Sequence, residues 1–280
     1  MKQILQGSEG ADNHPGMCAH GNKARLDRAA LDLARIQFPD LEAEPFLDRL
    51  NELASQLGDR LRNFNDGRDF VETAQRFLFK EMGFHGNEDD YFDPLNACLN
   101  EVLDRRTGIP VALSVMYMEI ARRLAMPVYG IGLPRHFILE FDDGNYSAYI
   151  DPFHGGRTIT ARECFRLAGA KMADPSLLAR ASKKEIVMRM LHSLHRNYLE
   201  RSDWPRAVGT LDLIIAGTPG TAPELPGRFK RRGLFLLELK RYQAARCDLQ
   251  QYLSLQPAAP DREEILKQIG AIHLWLGRVN

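Results

Sequence analysis

The sequence predicts an α+β fold in which a core with a small antiparallel sheet precedes an all-helical repeat domain. Three patterns indicate this architecture. Apolar residues run almost without interruption from 111 to 124, which is typical of a helix buried on most of its faces. Apolar stretches between 127 and 151 predict two or three strands. From Ser182 onward the apolar spacing is helical and recurs in related units, which predicts a helical repeat.

These patterns divide the chain into three parts. Residues 1–23 are rich in glycine without periodicity, so we expect a mobile tail. Residues 24–172 form the predicted core domain with an N-terminal helical cover, and residues 182–280 form the predicted repeats. Three candidate metal ligands lie close together in the tail: His14, Cys18 and His20. Such a trio in a flexible segment is more often incidental than a metal site, so we expect neither a metal nor a cofactor.

Helices are predicted to cover and then to form the core. The cover consists of a helix over 24–38, a second that opens at Pro45 and a third over about 69–82, and none of them carries obvious chemistry. Asp93 is the expected N-cap of a short helix before the core helix. The core helix begins at Pro110, because a missing N–H costs nothing in the first turn of a helix.

His136 and Asp151 fall on successive predicted strands and allow two interpretations. In the first, His136 is a strand-end histidine with a local partner, and Asp151 fixes a turn before Pro152. In the second, the carboxylate orients the imidazole, as in a Cys-His-Asp nucleophilic site. The second interpretation predicts that His136 lies within hydrogen-bond reach of Asp151.

Three strings carry a resemblance to a known family: LNEVLDRRTGIP at 99–110, GLPRHF at 132–137 and IDPFHGG at 150–156. Together with the order of helix and strands, they resemble the transglutaminase-like core, a papain-related fold. The three strings most resemble those of the bacterial SirB-type family, which joins that core to tetratricopeptide repeats. The resemblance covers the chain from about Leu26 onward.

The resemblance implies an incomplete catalytic triad. His136 and Asp151 match the histidine and aspartate of active transglutaminase-like enzymes. The nucleophile position falls on or beside Pro110, which has no thiol. A further departure is Arg135, which stands where the family usually has glycine and can narrow or charge the approach to His136.

Polar residues around these strings are candidates for a ligand-binding groove beside His136. Glu101 and Arg105 are spaced for a helical ion pair, which contributes only tenths of a kcal/mol if it is exposed. That surface pair is the alternative to a groove contact, and the family resemblance favours the groove. The predicted groove residues are Asn96, Glu101, Arg105, Arg106, Arg135 and His154.

The C-terminal part of the chain repeats. Ala207 and Ala245 occupy equivalent positions, as do Pro219 and Pro257. The offset between the units is close to the roughly 34-residue tetratricopeptide period plus a loop insertion. Such repeats commonly bind peptides, so the expected partner is a protein or peptide; the alternative is that the repeats are purely structural.

Composition restricts the class of protein. Lys+Arg and Asp+Glu both number 37 in 280 residues, and the resulting net charge of zero argues against nucleic-acid binding. The cysteines are scattered and are expected to be reduced thiols: Cys18, Cys98, Cys164 and Cys247. No apolar run resembles a signal peptide or a membrane span, so we expect a cytoplasmic protein without a membrane partner. No feature indicates an oligomeric state.

Two functional classes follow. The first is a non-catalytic binding module, in which a degenerate transglutaminase-like core is joined to repeats that dock a protein. The second is a cysteine protease, amidase or acyl transferase that uses His136 and Asp151 with a displaced thiol such as Cys98. The apolar spacing around Cys98 indicates a buried packing thiol, so the first class is favoured.

Overall fold

A computed structural model of the chain describes residues 25–279. The predicted tail and its three candidate metal ligands lie outside the described residues. The described chain forms two compact units, of which the first ends at Ser193 and the second begins at Leu194.

Three helices open the first unit: α1 (Leu26–Ala34), α2 (Glu44–Gly58) and α3 (Gly67–Ala74). Pro45 lies in the first turn of α2, as predicted, and one side of this helix is buried. Asp66 caps α3, because its carboxylate accepts hydrogen bonds from the N–H groups of Arg68 and Asp69.

The helix predicted over about residues 69–82 is present, but it is α-helical only in its first half. The α-helix α3 ends at Ala74, and the chain continues as a π-helical segment, Gln75–Glu81. Three successive side chains of this segment are buried: Phe77, Leu78 and Phe79. The apolar pattern could not reveal the change, because a π-helix alters the number of residues per turn rather than which residues are apolar.

The core helix α5 (Pro110–Arg123) is buried on most of its faces, as the sequence predicts. Ile109 is extended, and Pro110 occupies the first turn. A 3₁₀ turn and the short helix α4 lead into α5: Pro94–Ala97 and Leu99–Arg105. Two short strands pair in parallel ahead of it: β1 (His85–Gly86) and β2 (Thr107–Gly108).

Four antiparallel strands form the main sheet in the order β3-β4-β5-β6. They are β3 (Val128–Leu133), β4 (His136–Asp142), β5 (Ser147–Asp151) and β6 (Arg157–Ile159). The core helix packs against β3 and β4, which confirms the predicted antiparallel sheet on this helix. Leu139 pairs with Ile150, so Ile138 lies opposite Asp151. Since side chains alternate along a strand, His136 and Asp151 share one face of the sheet.

A small apolar cluster covers that face. Its buried members are Ile131, Leu133, Ile138, Ile159 and Cys164. Cys164 belongs to α6 (Ala161–Leu167), which begins with a capping box formed by Thr160 and Glu163. A 3₁₀ turn, Pro175–Leu178, lies within the stretch between α6 and the next helix.

Residues 183–279 of the described chain contain no strand, which confirms the predicted helical domain. The helices are α7 (Lys183–Glu200), α8 (Trp204–Gly217), α9 (Leu225–Glu238), α10 (Tyr242–Leu255) and α11 (Arg262–Val279). In the second unit α9 approaches α10 closely at Gly233, where a Cβ atom would lie 3.0 Å from the Leu249 side chain. Such small residues allow helices of tetratricopeptide type to pair. Among the described residues, no helix combines the length and the apolar character that crossing a membrane requires.

Candidate functional site

His136 and Asp151 form a buried hydrogen-bonded pair. His136 opens β4 and Asp151 closes β5. The Nε2 atom of His136 lies 3.0 Å from Oδ1 of Asp151, which confirms the predicted contact. His136 is 8% exposed and Asp151 is fully buried. Because an ionised carboxylate only accepts hydrogen bonds, the Nε2–H group of the imidazole donates.

A second histidine binds the other oxygen of the same carboxylate. The Nδ1 atom of His154 lies 2.7 Å from Oδ2 of Asp151, and the backbone N–H of His154 lies 3.4 Å from Oδ1. The rings of His136 and His154 have centroids 5.6 Å apart. Asp151 therefore holds two imidazoles at once, one on each carboxylate oxygen.

The carboxylate of Asp151 is held in its ionised form. Burial by itself raises its pKa, but the hydrogen bonds and positive potential of His136, followed by those of His154, together lower the pKa below its usual range. Arg157 adds a more distant positive charge, with Nη2 at 3.9 Å from Oδ2. The site is thus a buried anion with nitrogen donors on both sides.

Two glycines shape the loop that carries His154. Gly156 has φ +64° and its N–H donates to the carbonyl oxygen of Asp151 at 2.9 Å. A Cβ atom at Gly156 would overlap the ring of Phe79, which belongs to the π-helical segment. A Cβ atom at Gly86 would lie 2.5 Å from the ring of Phe153. The close approach of these elements fixes the loop over the sheet and aims His154 at Asp151.

Aromatic side chains form one wall of the site. The ring of Phe153 meets those of His136 and His154 edge-on, at centroid distances of 6.2 Å and 5.1 Å. Tyr91 packs on Phe153 at 5.9 Å. The His154 side chain is 37% exposed, so the site is open to a ligand on that side.

Cys98 is buried and lies between the 3₁₀ turn and α4. Its Sγ donates to the carbonyl oxygen of Pro94 at 3.6 Å. Burial, followed by the negative charges of Glu101 and Asp93, raises the pKa of its thiol to about 12. A cysteine near a helix start becomes a thiolate where positive charge and solvent stabilise it. Here the positive charge of Arg105 is outweighed by burial and by the two carboxylates.

Apart from His154, the predicted groove residues make contacts within the fold or lie in a turn. Asn96 is fully buried; its amide donates to the carbonyl oxygen of Asp90 at 2.7 Å and its Oδ1 accepts from Asn87 at 3.1 Å. These bonds tie Asn96 to the loop that contains Asn87 and Asp90, and the buried Asn96 side chain does not line an open groove.

The charged groove candidates on or next to α4 also make contacts within the fold. Arg105 pairs with Asp93 at 2.8 Å instead of with Glu101. The Glu101 carboxylate accepts from the Asn100 amide at 3.1 Å, and burial raises its pKa. Arg106 caps α4 in the left-handed conformation and its carbonyl oxygen accepts from His85.

Arg135 lies in the two-residue turn between β3 and β4, directly before His136. Its side chain is exposed and its φ is +63°. The turn explains why a glycine suits this position, since glycine adopts positive φ without steric cost.

Sequence reasoning missed the sharing of Asp151 by two histidines. The sequence placed His154 only in a general groove, because the turn after Asp151 has no fixed geometry until Phe79 packs against Gly156 and Phe153 packs against Gly86 of β1. The one available signal was the spacing: His154 follows Asp151 by three residues, which a tight turn can bring into contact.

The fold and the His136–Asp151 pair define a transglutaminase-like domain, followed here by helical repeats. Two family models match the chain in that order. The model described as "Transglutaminase-like superfamily" matches residues 44–192, and the model described as "Tetratricopeptide repeat" matches residues 194–270.

Curated relatives give the particular family. A UPF0162 protein of Xylella fastidiosa (strain 9a5c) is 34% identical over 243 residues, which cover 83% of this chain and 84% of the relative. UPF0162 protein PA3419 of Pseudomonas aeruginosa is 30% identical over 261 residues, covering 91% and 93%. The chain belongs to this UPF0162 family, the SirB-type proteins.

A shorter match extends to eukaryotes. F-box only protein 21 of Homo sapiens is 35% identical over 161 residues, which cover 53% of this chain and 25% of that protein. No solved structure matches the chain significantly.

Proposed function

We propose that this protein is a non-catalytic interaction module, in which a transglutaminase-like core without a nucleophilic thiol is joined to repeats that dock a protein partner. The observation that carries the proposal is the state of Cys98, the cysteine closest in sequence to the core helix. A cysteine nucleophile needs a thiolate within reach of its base. Cys98 instead is buried and bonded to Pro94.

The protonation state of Cys98 supports the same conclusion. With a thiol pKa raised to about 12, Cys98 stays protonated at pH 7. Cys164 is also buried, and burial raises the pKa of its thiol to about 11. Neither thiol is poised for attack on a substrate.

The start of the core helix offers no substitute nucleophile. The family resemblance places the thiol on or beside Pro110, which has neither a thiol nor a backbone N–H. Ser114, one turn further along, is fully buried, and its hydroxyl has no hydrogen-bond partner within the described residues. A serine nucleophile requires a base on its hydroxyl, so Ser114 does not take the missing role.

The repeats supply the surface for a partner. On α11 the side chains of Leu266 and Leu274 are 46% and 66% exposed and lie about two turns apart. Several large apolar side chains exposed on one helix are typical of protein-binding surfaces. An apolar segment of a partner protein is therefore the proposed occupant of α11.

Capture of partners from a native cell extract tests both halves of the proposal. The full chain is immobilised as wild type, Leu274→Lys and Cys98→Ala. A retained partner is expected to be lost at least tenfold with Leu274→Lys, because a buried lysine would have to be desolvated. Cys98→Ala is expected to retain the same partner, since its thiol serves packing.

Leu255→Lys is the matched control for the first substitution. Leu255 lies on α10 and is 40% exposed, so the change in size and charge is the same at another site. Equal capture by all variants would contradict docking on α11. Covalent trapping of a partner that depends on Cys98 would instead favour the cysteine-enzyme alternative with His136 and Asp151.

A further inference from the structure

We propose that His136, Asp151 and His154 bind a divalent first-row transition-metal ion of the zinc type. This inference concerns the His–Asp–His cluster alone and holds whether or not the repeats dock a partner. The ligand atoms of the three residues lie within 4.8 Å of one another. They come from three different positions in the fold: the start of β4, the end of β5 and the following loop.

The distances between the ligand atoms can be compared with those in a tetrahedral zinc site. In a tetrahedral zinc site, metal–ligand distances near 2.0–2.1 Å place ligand atoms about 3.3 Å apart. Here the two imidazole nitrogens lie 3.0 Å and 2.7 Å from the carboxylate oxygens that they contact. Those contacts would have to lengthen by about 0.3 Å and about 0.6 Å to reach that spacing, and ligand atoms that now lie up to 4.8 Å apart would have to approach one another. Rotation of the exposed His154 side chain supplies this movement.

The charge of the cluster also favours a cation. The Asp151 carboxylate carries the negative charge of the cluster and is fully buried. A divalent ion would replace the two imidazole protons that now face the carboxylate and would neutralise it directly. Arg157 does not block this exchange, because its guanidinium is 3.9 Å from Oδ2 and its side chain is 44% exposed.

The donor set determines the class of metal. Two imidazole nitrogens and one carboxylate suit zinc, iron, cobalt or nickel, whereas calcium and magnesium require oxygen ligands. Three protein ligands leave at least one coordination position for water or for an anionic group of a ligand. The half-exposed His154 places that open position on the solvent side of the site.

Zinc titration against a chromophoric chelator tests the proposal on the full-length chain. The background carries His14→Gln, Cys18→Ser and His20→Gln, so that the N-terminal trio does not compete for the ion. We expect one zinc ion per chain, and we expect His154→Gln to weaken zinc binding by at least about 100-fold, since removing even an outer-shell partner costs 10- to 100-fold. Magnesium is expected not to compete.

His85→Gln is the matched control. His85 is exposed, and its ring contacts the Gly83 carbonyl and Thr107 rather than any of the three proposed ligands. It should leave zinc affinity unchanged. Circular dichroism of each metal-free variant shows whether it is folded, and a second readout is the thermal midpoint: zinc should raise it for the background protein and not for His154→Gln.

A cobalt-substituted sample then identifies the ligands. Nitrogen and oxygen ligation gives visible d–d bands without the thiolate charge-transfer bands that cysteine ligands would add. The proposal is overturned if the background protein binds no zinc, if folded His154→Gln binds it as tightly as the background, or if thiolate bands show that cysteine holds the ion.

Discussion

At the scale of single residues, Arg135 shows how a family position is constrained by backbone geometry. It follows Pro134 in the turn that joins β3 to β4 and has φ +63°. Proline at the first central position and positive φ at the second are typical of a type II turn, which favours glycine at the second. The arginine therefore keeps a strained backbone directly beside His136.

Arg135→Gly is expected to raise the free energy of unfolding by about 1 kcal/mol, because glycine removes the steric cost of the left-handed conformation. Urea denaturation followed by circular dichroism measures the change. Glu52→Gly, at an exposed position within α2, is the control and should lower stability by about 1 kcal/mol. A loss of stability in both variants would show that the turn does not strain Arg135.

At the scale of secondary-structure elements, a buried ionic network joins α1 to the core helix α5. Arg123 donates to Asp27 at 2.8 Å and to Glu119 at 3.0 Å, and all three side chains are at most 9% exposed. Burial by itself raises the pKa of Asp27, but hydrogen bonds from Arg25 and Arg123 lower it to about 2. Burial raises the pKa of Glu119. The network fixes the cover helix on the core through charge rather than through apolar contact alone.

Asp27→Asn is expected to lower the free energy of unfolding by about 3 kcal/mol at pH 7, because it leaves Arg123 with one partner fewer in a buried site. The pKa of Asp27 is lower in the folded chain than the unfolded value of about 3.9. Its stabilisation is therefore complete above about pH 4 and is lost as the pH falls toward 2.

Urea denaturation of wild type and Asp27→Asn at pH 7, 4 and 3 measures this difference. The gap between the two proteins should narrow at the lowest pH. Asp104→Asn removes an exposed ion pair with Arg49 and should cost less than about 1 kcal/mol at every pH. A gap that stays constant from pH 7 to pH 3 would exclude a stabilising Asp27 carboxylate.

At the scale of the whole molecule, apolar patterns predict the elements and their order better than the contacts between them. The core helix, the antiparallel sheet and the helical repeats follow from periodicity and from the three family strings. The β1–β2 pair does not, because His85 pairs with Thr107 across a long stretch of sequence and each strand has only two residues. No periodic pattern can arise in so short a strand.

The sequence likewise predicts one part of the candidate site and not the other. Strand alternation and the family strings predict the His136–Asp151 pair, since His136 begins and Asp151 ends a strand with a clear apolar pattern. The position of His154 depends on Phe79 packing over Gly156, a contact between a π-helical segment and a loop. That contact is tertiary, so the sequence alone does not identify the second imidazole on Asp151.

Native alkylation tests the proposal that the transglutaminase-like unit carries no reactive thiol. The rate at which iodoacetamide modifies each cysteine is measured by peptide mass spectrometry, in wild type and in His136→Ala, with urea-unfolded protein as the reference. Cys247 is exposed and should react at the rate of an ordinary free thiol. Cys98 and Cys164 are buried with raised pKa values, so they should react only on unfolding, equally in both proteins. The proposal is contradicted if Cys98 reacts faster than Cys247 in the native wild type and slows in His136→Ala. That result would identify a cysteine enzyme.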